Sequence, residues 1–359
     1  MLRPLIVSIL AAALTGLAPQ PAAAQPPEFP AAEFAPVDPA LARLGQLLFY
    51  DPILSGNRNI ACATCHHPSL ATADGVSVSL GEGASGLGPN RRPDPANTPE
   101  QRLPRNAPAL FNLGASEFTV MFHDGRVETD PARPSGYRSP LEEALPQGRG
   151  SALAAQAMFP VTSPDEMAGH YGENDVSQAV RLGLIAGPGG AWDLLARRVD
   201  AIPAYAEAFA AAIPDTAARP LHFADIAEAL AACMAFEWRA DDSPFDRALR
   251  GEADLSPEAA EGMALFYGEA GCAACHSGRF QTDHGFHAMA APQIGPGKAA
   301  RYETHARDLG RLRVTGRAED AYAFRTPSLR NVALTGPWGH AGAHADLRAV
   351  LAHLADPSR

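Results

Sequence analysis

Two cysteines separated by two residues and followed at once by histidine occur twice in this chain, as Cys62-Ala63-Thr64-Cys65-His66 and as Cys272-Ala273-Ala274-Cys275-His276. Two thiols at this spacing suit thioether bonds to the two vinyl groups on one edge of a porphyrin. The adjacent imidazole then falls under the iron as an axial ligand. The competing chemistry for two Cys and one His is zinc, which wants a fourth ligand in matching spacing. Finding the motif twice favours covalent haem, one per copy.

The elements around the motifs repeat as well. Gly45-Gln46-Leu47-Leu48-Phe49-Tyr50 precedes the first copy and Gly262-Met263-Ala264-Leu265-Phe266-Tyr267 the second. Ala107-Pro108-Ala109-Leu110-Phe111-Asn112 matches Thr326-Pro327-Ser328-Leu329-Arg330-Asn331, and His123-Asp124-Gly125 matches His340-Ala341-Gly342. The economical reading is two cytochrome-c-like haem domains related by internal duplication. Asp38-Pro39 and Ser256-Pro257 each offer an N-cap followed by proline at the first helical position. Leu41, Leu44 and Leu48 then fall on one helical face. Residues 151–240 are Ala-rich and helical in character, whereas 74–104, 129–150 and 277–311 read as long loops. No segment alternates well enough for a sheet, so the expected class is all-α with long loops.

Length and composition bound the rest. At 359 residues, the chain has room for two cores. We place the domains at 25–240 and 241–359, with the boundary at Asp241-Asp242-Ser243-Pro244. Hydrophobic content of 46% against 19% charged residues is that of a globular protein. A net charge of −11 would repel phosphate and argues against a nucleic-acid partner. Arg3, the apolar run Leu5–Leu17 and Ala22-Ala23-Ala24 make residues 1–24 a secretory signal peptide, so the expected location is periplasmic, with no membrane span after cleavage. Four of the five cysteines belong to the haem motifs. Cys233 is left as a small apolar residue in a helix.

With these motifs in view, the chain resembles the bacterial di-haem cytochrome c peroxidases, a family that includes the MauG-like enzymes. The resemblance runs from about residue 38 to 354. It rests on the two haem motifs, Pro104-Arg105-Asn106-Ala107-Pro108, Phe122-His123-Asp124-Gly125-Arg126, Phe324–Asn331 and Pro337-Trp338-Gly339-His340. It implies a peroxide site at the first haem, an electron-transferring second haem, and a calcium ion between the domains. The family's peroxide-pocket glutamine and glutamate match Gln156 and Glu166. Heterolytic cleavage of the O–O bond needs a proton carried to the leaving oxygen; a carboxylate can carry it, and an amide can hold the peroxide. The calcium ligands match the Asn106 side chain and the carbonyls of Thr335 and Pro337.

Three positions depart from the pattern. Where ordinary members carry a histidine as sixth ligand of the peroxidatic iron, sixteen residues after His66, this chain has Glu82, a poorer ligand; the site is expected to be open without prior reduction. The tryptophan between the haems is replaced by His123. The second haem's distal ligand would fall on Leu354, which cannot bind iron; His353 is the nearest imidazole and Met289 an outside alternative. His284, His287 and His305 are loop histidines with no assigned role, and His67 is expected to be exposed. The resemblance also leads one to expect a further helix after Arg359, which would make this sequence truncated or an unusual member.

The resulting expectation is a periplasmic di-haem oxidoreductase that reduces hydrogen peroxide. Its electrons would come from a small cytochrome c or a copper protein. One alternative is MauG-like, peroxide-dependent oxidation of Trp or Tyr on a partner protein. The other is a non-catalytic di-haem electron carrier, against which Glu166 and Gln156 argue.

Overall fold

The computed structural model describes residue 29 and residues 33–147, 150–297 and 307–356. The expected signal peptide and His305 lie outside them. Helix α1 (Pro39–Tyr50) starts as the sequence predicts. Asp38 Oδ1 accepts from the Ala40 amide at 2.8 Å, and Pro39 takes the first helical position. Leu44 and Leu48 are buried. This face packs on α7 (Phe223–Glu237), the longest helix among the described residues. The two backbones meet closely at Gly45, where a Cβ would stand 1.8 Å from the Ala229 carbonyl oxygen. Only a glycine opposite an alanine-rich helix permits this approach. Cys233 is buried on the same helix, and burial pushes its thiol up to about 12.

The first haem motif forms the short α2 (Cys62–Cys65), and α3 (Ala152–Ala157), α4 (Asp175–Arg181), α5 (Ala191–Asp200) and α6 (Pro203–Ala212) complete the helical shell around this core. Beyond α7 come α8 (Pro244–Leu249), α9 (Pro257–Tyr267), α10 (Leu312–Thr315) and α11 (Leu347–Ala355). Ser256 caps α9 through the Ala259 amide. The two similar sequence segments thus start as the same local elements but pack differently. Gly45 meets α7, whereas Gly262 has no described atom within 4 Å of its Cβ position and lines a cleft of about 610 Å³.

The expectation of no sheet needs correction. The protein is mostly helical, but seven short strands are described. They are β1 (Ala84–Ser85), β2 (Arg92–Pro93), β3 (Val120–Met121), β4 (Val127–Thr129), β5 (Tyr137–Arg138), β6 (Phe286–His287) and β7 (Phe324–Arg325). All pairings are antiparallel: β1 with β2, β3–β4–β5 in order, and β6 with β7 in the register Phe286↔Arg325. Strands of two or three residues are too short to display the period-two alternation that reveals a strand in sequence, and Val120 and Met121 are both buried.

Candidate haem and peroxide site

The first motif is held by its own backbone and by neighbouring loops. The His66 amide donates to the Cys62 carbonyl at 3.0 Å, and the Ala61 amide to Thr64 Oγ1 at 3.0 Å. His66 Nδ1 lies 3.0 Å from the Thr72 carbonyl. A carbonyl can only accept, so Nδ1 carries the proton and Nε2 is left as the ligating nitrogen. Burial lowers the His66 pKa and keeps the ring neutral, as a metal ligand must be. Burial likewise pushes the Cys62 and Cys65 thiols up to about 12. Zinc requires thiolates, which such a site disfavours; neutral thiols placed for thioether formation fit haem. The second motif repeats the device. The His276 amide donates to Cys272 at 3.0 Å, and His276 Nδ1 donates to the Gln281 carbonyl at 2.9 Å. Among the described residues, the cluster with metal-ligand spacing is Cys275, Asp283 and His287. It spends a haem-motif cysteine and offers no fourth ligand.

The two residues matched to the family's peroxide pocket come from neighbouring stretches of sequence. Gln156 is half-buried near the end of α3. Glu166 is half-buried in a single π-helical turn, Pro164–Ala168, in which the Met167 and Ala168 amides both donate to the Ser163 carbonyl. Such turns widen the helix and recur at functional sites. The turn is tied to the segment that leads into the haem motif, with the Gly56 amide donating to the Met167 carbonyl at 2.8 Å. Burial raises the Cys65 thiol pKa, with the charge of Arg91 opposing and those of Asp74 and Glu166 adding to the rise. Asp74 and Arg91 were not singled out by sequence reasoning. Arg91 is buried, and its guanidinium donates to the carbonyls of Leu80, Gly81, Ala84 and Gly86, which fixes the loop carrying Glu82. Burial raises the Asp74 pKa.

Glu82 is not a solvated loop charge. It is fully buried, and its Oε1 accepts from the side-chain amides of Asn57, Asn59 and Asn97 at 2.9, 2.6 and 2.8 Å. His123 sits where the halves meet. Its carbonyl accepts from the Arg325 amide at 2.8 Å. Burial, then the neighbouring guanidinium charges of Arg105 and Arg325, lower its pKa to about 3. Beside it, His340 stacks on Phe324 with ring centroids 4.1 Å apart.

His353 is buried rather than on the helix surface. Its Nε2 lies 3.1 Å from the Met289 carbonyl and its ring 5.2 Å from that of His344. The two candidates for the second iron thus lie side by side, while Leu354 is exposed. Two loop histidines are engaged elsewhere: His284 with Glu117 at 3.2 Å and His287 with Asp283 at 2.8 Å. His67, expected to be exposed, is half-buried and bonds Ser69 Oγ at 2.7 Å.

Of the three residues matched to calcium, Asn106 and Pro337 meet, while the described bonds of Thr335 are local, to Val332. Asn106 Nδ2 donates to the Pro337 carbonyl at 2.8 Å, and the Asn106 amide donates to the His340 carbonyl at 2.9 Å. Asn106 Oδ1 is buried with no hydrogen-bond partner among the described residues. An orphaned buried acceptor beside a carbonyl oxygen is chemistry that a hard cation completes. Next to it, Arg105 forms a buried ion cluster, with Nε and Nη2 on Asp308 at 2.6 and 2.9 Å and Nη1 on Asp124 at 2.7 Å.

The model of the family described as di-haem cytochrome c peroxidase matches residues 39–254. The methylamine utilization protein MauG of Methylorubrum extorquens is 33% identical over 92% of this chain and 72% of its own length. The cytochrome c551 peroxidase of Pseudomonas aeruginosa is 29% identical over 88% of this chain and 72% of its own. The chain belongs to the di-haem cytochrome c peroxidase family. Among solved structures, a MauG-like protein associated with microbial copper homeostasis superposes with a TM-score of 0.61 at 27% identity, covering 93% of this chain and 81% of that one. The diheme peroxidase BthA of Burkholderia thailandensis gives 0.61 at 25% identity, covering 89% and 72%.

As a family member the protein is an oxidoreductase of the di-haem peroxidase type, acting on peroxide and carrying two haems c. The residues present fit that cofactor. Each motif offers two thiols and an imidazole whose Nδ1 is already engaged, leaving Nε2 for iron. Among the described residues, no helix is long and apolar enough to cross a membrane.

Proposed function

We propose that the protein is a periplasmic enzyme that reduces hydrogen peroxide to water, taking two protons and two electrons per peroxide. The electrons would come from a small cytochrome c or copper protein. The haems would supply redox-active iron, one held by Cys62, Cys65 and His66 and the other by Cys272, Cys275 and His276, with His353 a further candidate to hold the second. Glu166 takes the proton from one peroxide oxygen and delivers it to the departing one, and Gln156 holds the substrate. Positioned acid–base groups of this kind contribute about 10²–10⁴ in rate. The observation that carries this reading is the backbone pairing between the turn that holds Glu166 and the segment that runs into the first haem motif, with the Gly56 amide donating to the Met167 carbonyl at 2.8 Å; it supports an acid–base group beside that motif. An electron carrier has no use for one.

His123 remains neutral between the two halves, flanked by guanidinium groups. It gives a polar, uncharged bridge where other members have an oxidisable indole. Calcium, held by Asn106 with the carbonyls of Thr335 and Pro337, would fix domain 25–240 against domain 241–359.

A second reading is MauG-like oxidation of a Trp or Tyr on a partner protein. The 33% identity to a MauG and the absence of a histidine at position 82 favour it. Peroxide turnover with a reduced small cytochrome c as donor tests the first reading. Steady donor oxidation coupled to peroxide loss supports it. Peroxide consumption without donor oxidation, together with a mass change in a co-expressed secreted protein, supports the second.

A further inference from the structure

The π-helical turn that carries Glu166 is gripped from two sides by backbone. On one side the Glu82 amide donates to the Asp165 carbonyl at 3.0 Å, and a Cβ on Gly81 would lie 2.0 Å from that same oxygen. On the other side the Gly56 amide donates to the Met167 carbonyl at 2.8 Å, and a Cβ on Gly56 would lie 1.9 Å from the Ala168 oxygen. Neither gripping strand has room to shift independently of the turn.

What joins the two strands is the Glu82 carboxylate. Asn57 and Asn59 belong to the segment that leaves Gly56 and runs into the first haem motif, and Asn97 lies beyond the β1–β2 hairpin. All three carboxamides converge on Glu82 Oε1, at 2.6–2.9 Å; Glu82 is fully buried, Asn57 and Asn97 are half-buried and Asn59 is exposed. Asn57 extends the network, donating to Glu173 Oε2 at 2.6 Å and accepting from Asn174 Nδ2 at 2.8 Å. Asn174 in turn donates to the Ala168 carbonyl at the end of the turn. A buried polar oxygen is costly to leave without hydrogen bonds, so the three donors are held to it. The Glu82 Oε1 acceptor thus ties the haem-motif segment to the loop that pairs with the turn.

We propose that Glu82 is a positioning residue for peroxide cleavage. Through the three asparagines and the Asp165 backbone it fixes where the Glu166 carboxylate stands relative to the first haem, and it is not itself an iron ligand. The proposal rests on the peroxidase reading of Glu166. A displacement of about 1 Å in a reacting group can cost on the order of 10² in rate.

The test compares holoproteins of equal haem content: wild type, Glu82→Ala, Glu82→Gln, Glu166→Gln and the double variant Glu82→Ala/Glu166→Gln. Glutamine keeps an oxygen for the three donors; alanine does not. Glu82→Ala is expected to slow the reaction with peroxide by about 10–10²-fold and to shift its pH profile. Glu82→Gln should restore most of the rate. The double variant should be no slower than Glu166→Gln alone, because a residue that acts through Glu166 has nothing left to position. The ferric resting EPR spectrum should be unchanged in Glu82→Ala. Additive losses in the double variant, or a changed spin state of the first haem in Glu82→Ala, would overturn the proposal.

If wild type consumes no peroxide, the peroxidase reading fails instead. Hydrogen exchange then decides the positioning claim by itself: the Gly56 and Glu82 amides should exchange faster in Glu82→Ala and not in Glu82→Gln, and equal protection in all three proteins would refute it. If Glu82→Ala does not give soluble holoprotein, Asn59→Ser removes the shortest of the three donors and is expected to show the same pattern at about 3–10-fold in rate. An unchanged rate there would count against the proposal.

Discussion

Replacing Arg105 by Met tests what holds the two halves together. Arg105 is 7% exposed, and its partners Asp124 and Asp308 are 3% and 1% exposed. The Asp308 contact is bidentate, at 2.6 and 2.9 Å, and spans 203 residues of sequence. A methionine fills much of the same volume but leaves the buried Asp308 without its cation, while Asp124 keeps Arg126 at 3.2 Å. Breaking a buried pair from one side costs about 3–5 kcal/mol. At roughly 2–4 °C per kcal/mol for a protein of this size, the thermal midpoint should fall by about 10 °C. The loss should also depend on pH. Although burial raises the Asp308 pKa, the Arg105 hydrogen bond and charge outweigh it and hold the carboxyl below its ordinary value. The stabilisation is therefore full above the unfolded carboxylate pKa of about 3.9 and is lost as pH falls through the lower folded value. Calorimetry of wild type, Arg105→Met, Asp308→Asn and the double variant gives both the loss and the coupling. A loss under about 1 kcal/mol, the range of an exposed pair, or coupling near zero would refute the reasoning.

Two further outcomes follow. His123 has its pKa lowered to about 3 by burial and by the Arg105 and Arg325 charges, against a weaker opposing pull from Asp124. Between about pH 6.5 and 3 the unfolded chain therefore takes up a proton that the folded protein refuses, and stability should drop by about 1.4 kcal/mol per pH unit from this group. His123→Gln should flatten the denaturant-measured pH dependence by about 2 kcal/mol between pH 7 and 5; an unchanged slope would show that His123 titrates freely. Metal analysis should find calcium in the purified protein, and chelation should lower the thermal midpoint reversibly, by the equivalent of about 3 kcal/mol if the protein is stored at a hundred times the dissociation constant. Asn106→Ala should abolish that response, and a wild-type midpoint indifferent to chelators would remove the ion from the account.

The residues that would hold the haems are legible because they lie close in sequence. Cys62, Cys65 and His66 declare themselves by spacing, and Asp38-Pro39 and Ser256-Pro257 mark the helix starts through local capping. What escaped the sequence depends on contacts between distant segments. Nothing near Arg105 signals Asp308, and nothing near Glu82 signals Asn57, Asn59 and Asn97 as its partners. An isolated glutamate in Leu80-Gly81-Glu82-Gly83 reads as a loop charge until the fold buries it. The π-helical turn at Pro164–Ala168 and the strands of two or three residues carry too little local pattern to be read. His353 is named by the sequence as a candidate ligand, but only the fold sets it against Met289 and His344.

The central claim is that Glu166 moves the proton when peroxide is cleaved at the first haem. Stopped-flow mixing of the ferric holoprotein with hydrogen peroxide tests it most directly, comparing wild type with Glu166→Gln at equal haem content. Wild type should react without prior reduction. The variant should keep the resting spectrum and react more slowly by about 10²–10⁴-fold. An equal rate in the two proteins, or a wild type that reacts only after reduction, would contradict the account.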